Sequence, residues 1–154
     1  MTVKKFSSIF DGLKEAYGTY RIEKTQSNGK NTGKAGIVRE PRNAGLWEGH
    51  LSGKGNSIGI IPINADNMCK WGCVDIDQYP LDHKLLLEKI RKLKLPLVVC
   101  RSKSGGAHCF LFCKDWVEAK DMQKTLKNIA AALGYGDSEI FPKQIKLHLD
   151  RGDV

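Results

Sequence analysis

No apolar run in this chain of 154 residues approaches the roughly 20 residues that cross a bilayer, so the sequence offers no membrane-spanning helix. The opening Met1, Thr2, Val3, Lys4, Lys5, Phe6 lacks the hydrophobic segment of a secretory signal, and the expected location is the cytosol. Cysteines are few and odd in number, five, which argues against a disulfide scaffold and for reduced thiols. Cys69 and Cys73, like Cys109 and Cys113, are separated by three residues, wider than the two-residue spacing of a zinc knuckle. They read as small buried hydrophobes. There is no internal repeat and no low-complexity tail. Acidic residues are also in short supply: 17 Asp and Glu stand against 25 Lys and Arg, a net charge of +8. A polyanionic, phosphate-bearing partner is the expected consequence. The length suits one domain with a real core.

The apolar spacing of Phe6, Ile9, Phe10, Leu13 and Tyr17 predicts an amphipathic helix that stops at Gly18. Residues 24–56 turn to Gly, Asn, Lys and Arg and read as a basic, loop-rich excursion with short strands, either a grip on phosphates or a solvated surface loop. Ser57 to Ile63 reads as a short buried strand and Lys70 to Asp77 as the next. A helix is predicted from Pro80 to about Leu95, with Leu81, Leu85, Leu86, Ile90 and Leu93 as its apolar face. Leu97 to Cys100 reads as a buried strand and His108 to Cys113 as another. A second long helix is expected from Asp115, capped by that residue with Glu118 in capping-box position, its inward stripe Met122, Leu126, Ile129 and Leu133, and its stop Gly134. Strand-like pieces follow at Ser138 to Gln144 and Ile145 to Leu149.

Two stretches carry the chemistry. In Trp71 to Asp77, alternation along a strand puts Asp75 and Asp77 on one face while Val74 and Ile76 point into a core. Paired carboxylates repel unless one keeps its proton or a hard cation sits between them, so a magnesium or manganese site is the first expectation. Asp-x-Asp at a strand end also has a plain structural use, as a cap for the following helix. The second stretch, Ser102 to His108, is a glycine-rich turn between two apolar strands. Gly105 and Gly106 let the backbone bend with its amides facing a ligand, and Arg101, Lys103, Ser104 and His108 surround it with donors. An anion such as a triphosphate is the natural guest.

The order Asp-x-Asp on a strand, helix, strand, then Ser-Gly-Gly-x-His leading into a strand resembles the archaeo-eukaryotic primase superfamily, which includes primase-polymerases of phages, plasmids and mobile elements. Glu139 to Gln144 is similar to the stretch that carries that family's third acid, and the likeness reaches back through Trp47 to Leu51 and Ile58 to Pro62. The resemblance implies an α+β, two-layer fold with an RRM-like catalytic core, its mixed or antiparallel sheet flanked by helices. It implies that Asp75, Asp77 and Glu139 hold two divalent ions, Mg2+ or Mn2+, with Asp137 as the competing third acid. His108 matches the histidine that contacts the incoming nucleotide's phosphates. Members tend to continue into a further Gly-Asn-rich strand, so the resemblance also implies a catalytic domain cut short at its C-terminal end.

On this reading the protein is a template-dependent nucleotidyltransferase of a bacterial or phage-infected cytoplasm. It uses single-stranded DNA and nucleoside triphosphates, alongside a helicase domain or subunit. Arg101, Lys103, Ser104, His108 and Lys143 would neutralise the triphosphate, and residues 24–54 would follow the template backbone. Two other classes compete: a non-catalytic module binding single strands, and a metal-dependent nuclease. The first wants aromatic platforms on an exposed sheet face, where 8% aromatics offer little beyond Phe110 and Phe112. The glycine turn with His108 favours bound triphosphate over hydrolysis.

Overall fold

A computed structural model describes residues 2–25 and 31–147. The elements run α1 (Val3–Ile9), β1 (Tyr17–Thr25), β2 (Asn31–Val38), α2 (Ala44–Ser52), β3 (Ser57–Gly59), β4 (Met68–Ile76), α3 (His83–Lys92), β5 (Leu97–Arg101), β6 (Ala107–Glu118), α4 (Ala119–Leu133) and β7 (Glu139–Phe141). The fold is α+β, with two antiparallel sheets of order β2-β1-β3 and β5-β6-β4-β7. From β4 onward the β-α-β-β-α-β succession and its strand order are those of the ferredoxin-like, RRM-type unit. No helix among the described residues is long and apolar enough to cross a membrane.

The four-stranded sheet sorts its side chains by alternation. Val74 and Ile76 of β4, Ala107 and Cys109 of β6 and Ile140 of β7 face the helices, where they pack with Leu86 and Ile90 of α3 and Met122, Leu126 and Leu133 of α4. The opposite face carries Trp71, Cys73 and Asp75 on β4 and His108, Phe110 and Phe112 on β6. The α4 stripe is as expected, and Gly134 closes it in the left-handed region at φ 86°.

Several local expectations fail for identifiable reasons. Helix α1 ends at Ile9 because the chain must turn at Gly12, whose Cα lies so close to the Ile61 carbonyl that a Cβ would sit 2.1 Å from its oxygen. Leu13 is buried outside the helix, its N–H donating to Ile61 O at 2.9 Å, and Tyr17 opens β1. The basic excursion holds the end of β1, the strand β2 and a helix, α2, whose cap Asn43 accepts from the Leu46 amide and whose end is Gly53 in the left-handed region. The strand predicted over Ser57 to Ile63 pairs only as far as Gly59, and Pro62 has no N–H to continue a ladder. Helix α3 is shorter than predicted, capped by Asp82, and leaves Leu85 and Leu93 exposed. Strand β5 is an edge strand, not a buried one, with Val98 exposed.

Asp115 caps no helix. Strand β6 runs on to Glu118 because Val117 and Glu118 pair with Cys69 and Met68 beyond an irregularity in which β6 carries the extra residues, 113–116, and the first amide of α4, Ala119, donates to the Asn67 carbonyl. The predicted strand over Ile145 to Leu149 is absent at residues 145–147, and the remainder lies outside the described residues.

Candidate functional site

Register assembles the site. In the β4 ladder Asp75 is the partner of His108 on β6 and of Glu139 on β7, so the three lie in one row across adjacent strands. Antiparallel partners project from the same face, and the row points away from the helices. Asp77 follows just past the end of β4, and Asp137 lies two residues before β7. These four carboxylates line an open cleft of about 670 Å3 with Gln78 and Tyr135.

Asp75 is the tightest of the group. His108 Nε2 stands 3.3 Å from its Oδ1, yet that oxygen is buried and has no hydrogen-bond partner in proper alignment. Burial pushes the Asp75 carboxyl above its ordinary value. His108 opposes that shift, the Asp77 and Glu139 charges add to it, and Lys143 opposes it more weakly. An orphaned, partly desolvated carboxylate oxygen flanked by two further acids is a donor set that fits a hard divalent cation. Glu139 already has a counter-charge, since Lys143 Nζ lies 2.6 Å from its Oε1 and also over the Phe141 ring. Among the described residues no three His, Cys, Asp or Glu side chains converge into a closed metal cage.

The glycine turn meets this row from the other end. Ser102 N donates to Gly106 O at 2.9 Å and Gly105 N to Ser102 O at 3.1 Å, with Gly105 at φ 99°. Gly106 is jammed against β4: a Cβ there would stand 2.2 Å from the Ile76 carbonyl oxygen. Gly106→Ala should therefore displace the turn from the strand end. We expect a loss of about 2 kcal/mol in chemical denaturation, as for other overpacked sites, and a control at Gly105, substituted by Asn to tolerate the left-handed backbone, should lose far less. Equal losses at the two positions would contradict this account.

Two residues that the sequence reading passed over tie the parts together. Tyr79 Oη donates to Asp77 Oδ1 at 2.7 Å and lies 2.6 Å from Ser104 Oγ. His83 Nε2, at the start of α3, donates to the Gly106 carbonyl at 3.1 Å. The only sequence signal for Tyr79 was its place two residues beyond the second acid. Lys103 is exposed on the turn. Arg101 is the register partner of Ala107, whose side chain faces the helices, and so it is turned away from the His108 row. It lines a separate shallow cleft beside Tyr79, His83 and Ser104.

On the far side of Asp75 and His108 opens a second cleft of about 410 Å3, walled by Phe10, Trp47, Ile58, Trp71 and Phe110. Phe110 and Phe112 would be stacking platforms on a bare RRM-type sheet. Here α1 lays Phe10 across them, with ring centroids 5.5 and 5.7 Å away, and the Trp71 indole donates to the Asp11 carbonyl at 2.7 Å. Asp75 thus stands on the divide between an acidic cleft and an aromatic one. Cys73 lines this aromatic cleft as well; it, Cys69 and Cys109 are buried, and burial pushes Cys69 up to about 12 and Cys109 up to about 11 and raises Cys73 too, so all three stay as thiols.

No curated protein matches the chain. Its residues 1–146 match the family described as the TOTE conflict system, Archaeo-Eukaryotic Primase domain. That match spans nearly all of the 154 residues, both sheets and every element of the site, and the chain belongs to the archaeo-eukaryotic primase family.

Proposed function

We propose that the protein is a template-dependent nucleotidyltransferase that joins nucleotides on single-stranded DNA, with Asp75, Asp77 and Glu139 holding two divalent ions, Mg2+ or Mn2+. The observation that supports this best is the row His108, Asp75, Glu139, which sets an acid pair against a phosphate donor on one rigid sheet face. Cations bound there supply charge neutralisation and lower the proton affinity of the attacking 3′-hydroxyl. The remaining work falls to the chain. His108 Nε2 donates to a phosphate oxygen, and the amides and hydroxyls of the turn from Ser102 to Gly106, with Lys103, hold the triphosphate. Lys143 exchanges its carboxylate partner, Glu139, for the triphosphate. The aromatic cleft has the volume and apolar walls to shelter a base and sugar from water. Glu139 is preferred to Asp137 as third acid because it is the register partner of Asp75.

The strands β1 and β2 give the basic segment a defined edge, with Arg21 and Lys34 paired across the hairpin, and we assign the template backbone to it. A helicase domain or subunit would supply that template as a single strand. The rival binding-only reading is weakened by Phe10, the residue that caps the end of α1, which covers the aromatic face such a module would need free.

The test is incorporation of labelled nucleotides by the purified protein on a single-stranded template with Mn2+ or Mg2+. Product should form in the parent and vanish in Asp75→Ala/Asp77→Ala. Activity that survives the double substitution sinks the assignment.

A further inference from the structure

We infer that Tyr79 is a positioning residue that couples the cation site to the triphosphate turn through a directed chain of hydroxyls. This inference rests on the reading above that Asp75 and Asp77 hold a divalent cation. The starting observation is a run of three short polar contacts: Tyr79 Oη to Asp77 Oδ1 at 2.7 Å, Tyr79 Oη to Ser104 Oγ at 2.6 Å, and Ser104 Oγ to Ser102 Oγ at 3.3 Å.

The direction of each hydrogen bond follows from counting protons. A carboxylate only accepts, so the single phenolic hydrogen of Tyr79 is committed to Asp77. The contact with Ser104 then has one solution, Ser104 donating to Tyr79. That spends the Ser104 hydrogen, so the third and longest contact is Ser102 donating to Ser104. All three hydroxyls are therefore aimed at Asp77, and in this state neither Ser104 nor Tyr79 has a hydrogen for a phosphate. The negative end of the chain is what orders it.

A cation on Asp77 draws on the same oxygen lone pairs and weakens the hold of that carboxylate on the Tyr79 hydrogen. The phenol can then turn and donate to Ser104, which frees the Ser104 hydrogen for a phosphate oxygen. No covalent bond is made or broken; the Tyr79 and Ser104 hydroxyls change sense while Ser102 goes on donating to Ser104. The arrangement makes each ligand favour the other, through Tyr79, which touches neither, and Ser104, which touches the phosphate alone. Tyr79 also fixes the rotamer of Asp77, which lies beyond the last ladder pair of β4 and has no strand to steady it.

Three variants, Tyr79→Phe, Ser104→Ala and the double substitution, test this by titration calorimetry with Mn2+ alone and by deuterium uptake over residues 102–106. Tyr79→Phe releases Asp77 from its fixed rotamer, a loss that outweighs the competing hydrogen bond it removes, and should weaken Mn2+ binding by about tenfold, within the range for lost partners of metal-binding side chains. Ser104→Ala, which cannot touch the cation, should still weaken it by about threefold, and the double variant should be no weaker than Tyr79→Phe alone, because one chain carries both effects. Deuterium uptake in the turn should rise in Tyr79→Phe with no metal present. Unchanged Mn2+ affinity in a folded Tyr79→Phe, or additive losses in the double variant, overturns the coupling. Asp75→Asn separates the two layers. If it abolishes Mn2+ binding while Tyr79→Phe leaves the affinity unchanged, the cation site stands and the relay falls. If it leaves Mn2+ binding intact, both fall.

Discussion

Asp75→Asn should reduce nucleotide incorporation by at least a factor of about a thousand, roughly 4 kcal/mol of transition-state stabilisation, while making the cation-free protein more stable than its parent. The two halves have one cause. Asn keeps the shape and removes the charge from a position where a carboxylate oxygen is buried without a hydrogen-bond partner, beside Asp77 and Glu139. The sign with pH is fixed by the direction of the shift. Burial and the two neighbouring acids raise the Asp75 value in the folded state, so the fold prefers the protonated form. The parent is then penalised at a pH above the raised value and relieved below the unfolded one. Melts in EDTA should show the variant ahead near about pH 8, with the gap closing towards about pH 4. Added Mn2+ should raise the melting temperature of the parent and not that of the variant. A variant less stable than the parent at the higher pH would mean that the folded protein stabilises the Asp75 carboxylate and would contradict this account.

Gly72→Ala should cost about 3 kcal/mol, at the upper end of overpacking effects, and lower the melting temperature by about 6–12 °C. Gly72 lies on the helix side of β4, where the strand passes beneath α4. A methyl group there would stand 2.6 Å from Leu126 Cδ1, 2.6 Å from the Phe141 carbonyl oxygen and 2.9 Å from Met122 Cγ. The two side chains can shift, but the Phe141 carbonyl belongs to the backbone of β7, whose residue Phe141 pairs with Cys73. Relief must come from moving β7, and β7 carries Glu139. Incorporation should therefore fall further than the fraction unfolded explains. Thermal melts and initial rates on the same preparation check both effects, and a melting temperature within a degree of the parent contradicts the packing account.

What was legible in the sequence was whatever depends on local periodicity. Alternation predicts that Asp75 and Asp77 share a side; the buried pair Val74 and Ile76 has the predicted phase, and the two acids line one cleft although β4 ends at Ile76. The α4 stripe and Gly134 follow from helical spacing and a left-handed stop. The misreadings come from contacts between distant segments. Leu13 and Tyr17 continue a helical spacing that the close approach of Gly12 to Ile61 cuts short. Asp115 and Glu118 form a convincing capping box, yet β4 holds that stretch as strand through Val117 and Glu118. Helix α2 was hidden by its glycines, Gly45 and Gly49, and by having Trp47 as its only buried residue. Tyr79 and His83 bond to partners 25 and 23 residues away, which no local pattern reveals.

The row of site residues is also a timetable. Ribosomes deliver Asp75 first, His108 next and Glu139 last, so at about 5–20 residues per second the third acid arrives roughly 3–13 s after the first. Through that interval the nascent chain can pair β4 with β6 while the other side of β4 stays bare, an open strand edge able to take up a foreign partner. The arrival of β7 covers that edge over Cys73 to Asp75 and completes the acidic row in one event. Cover for that edge and the third acid of the proposed site arrive together, on a strand of three residues.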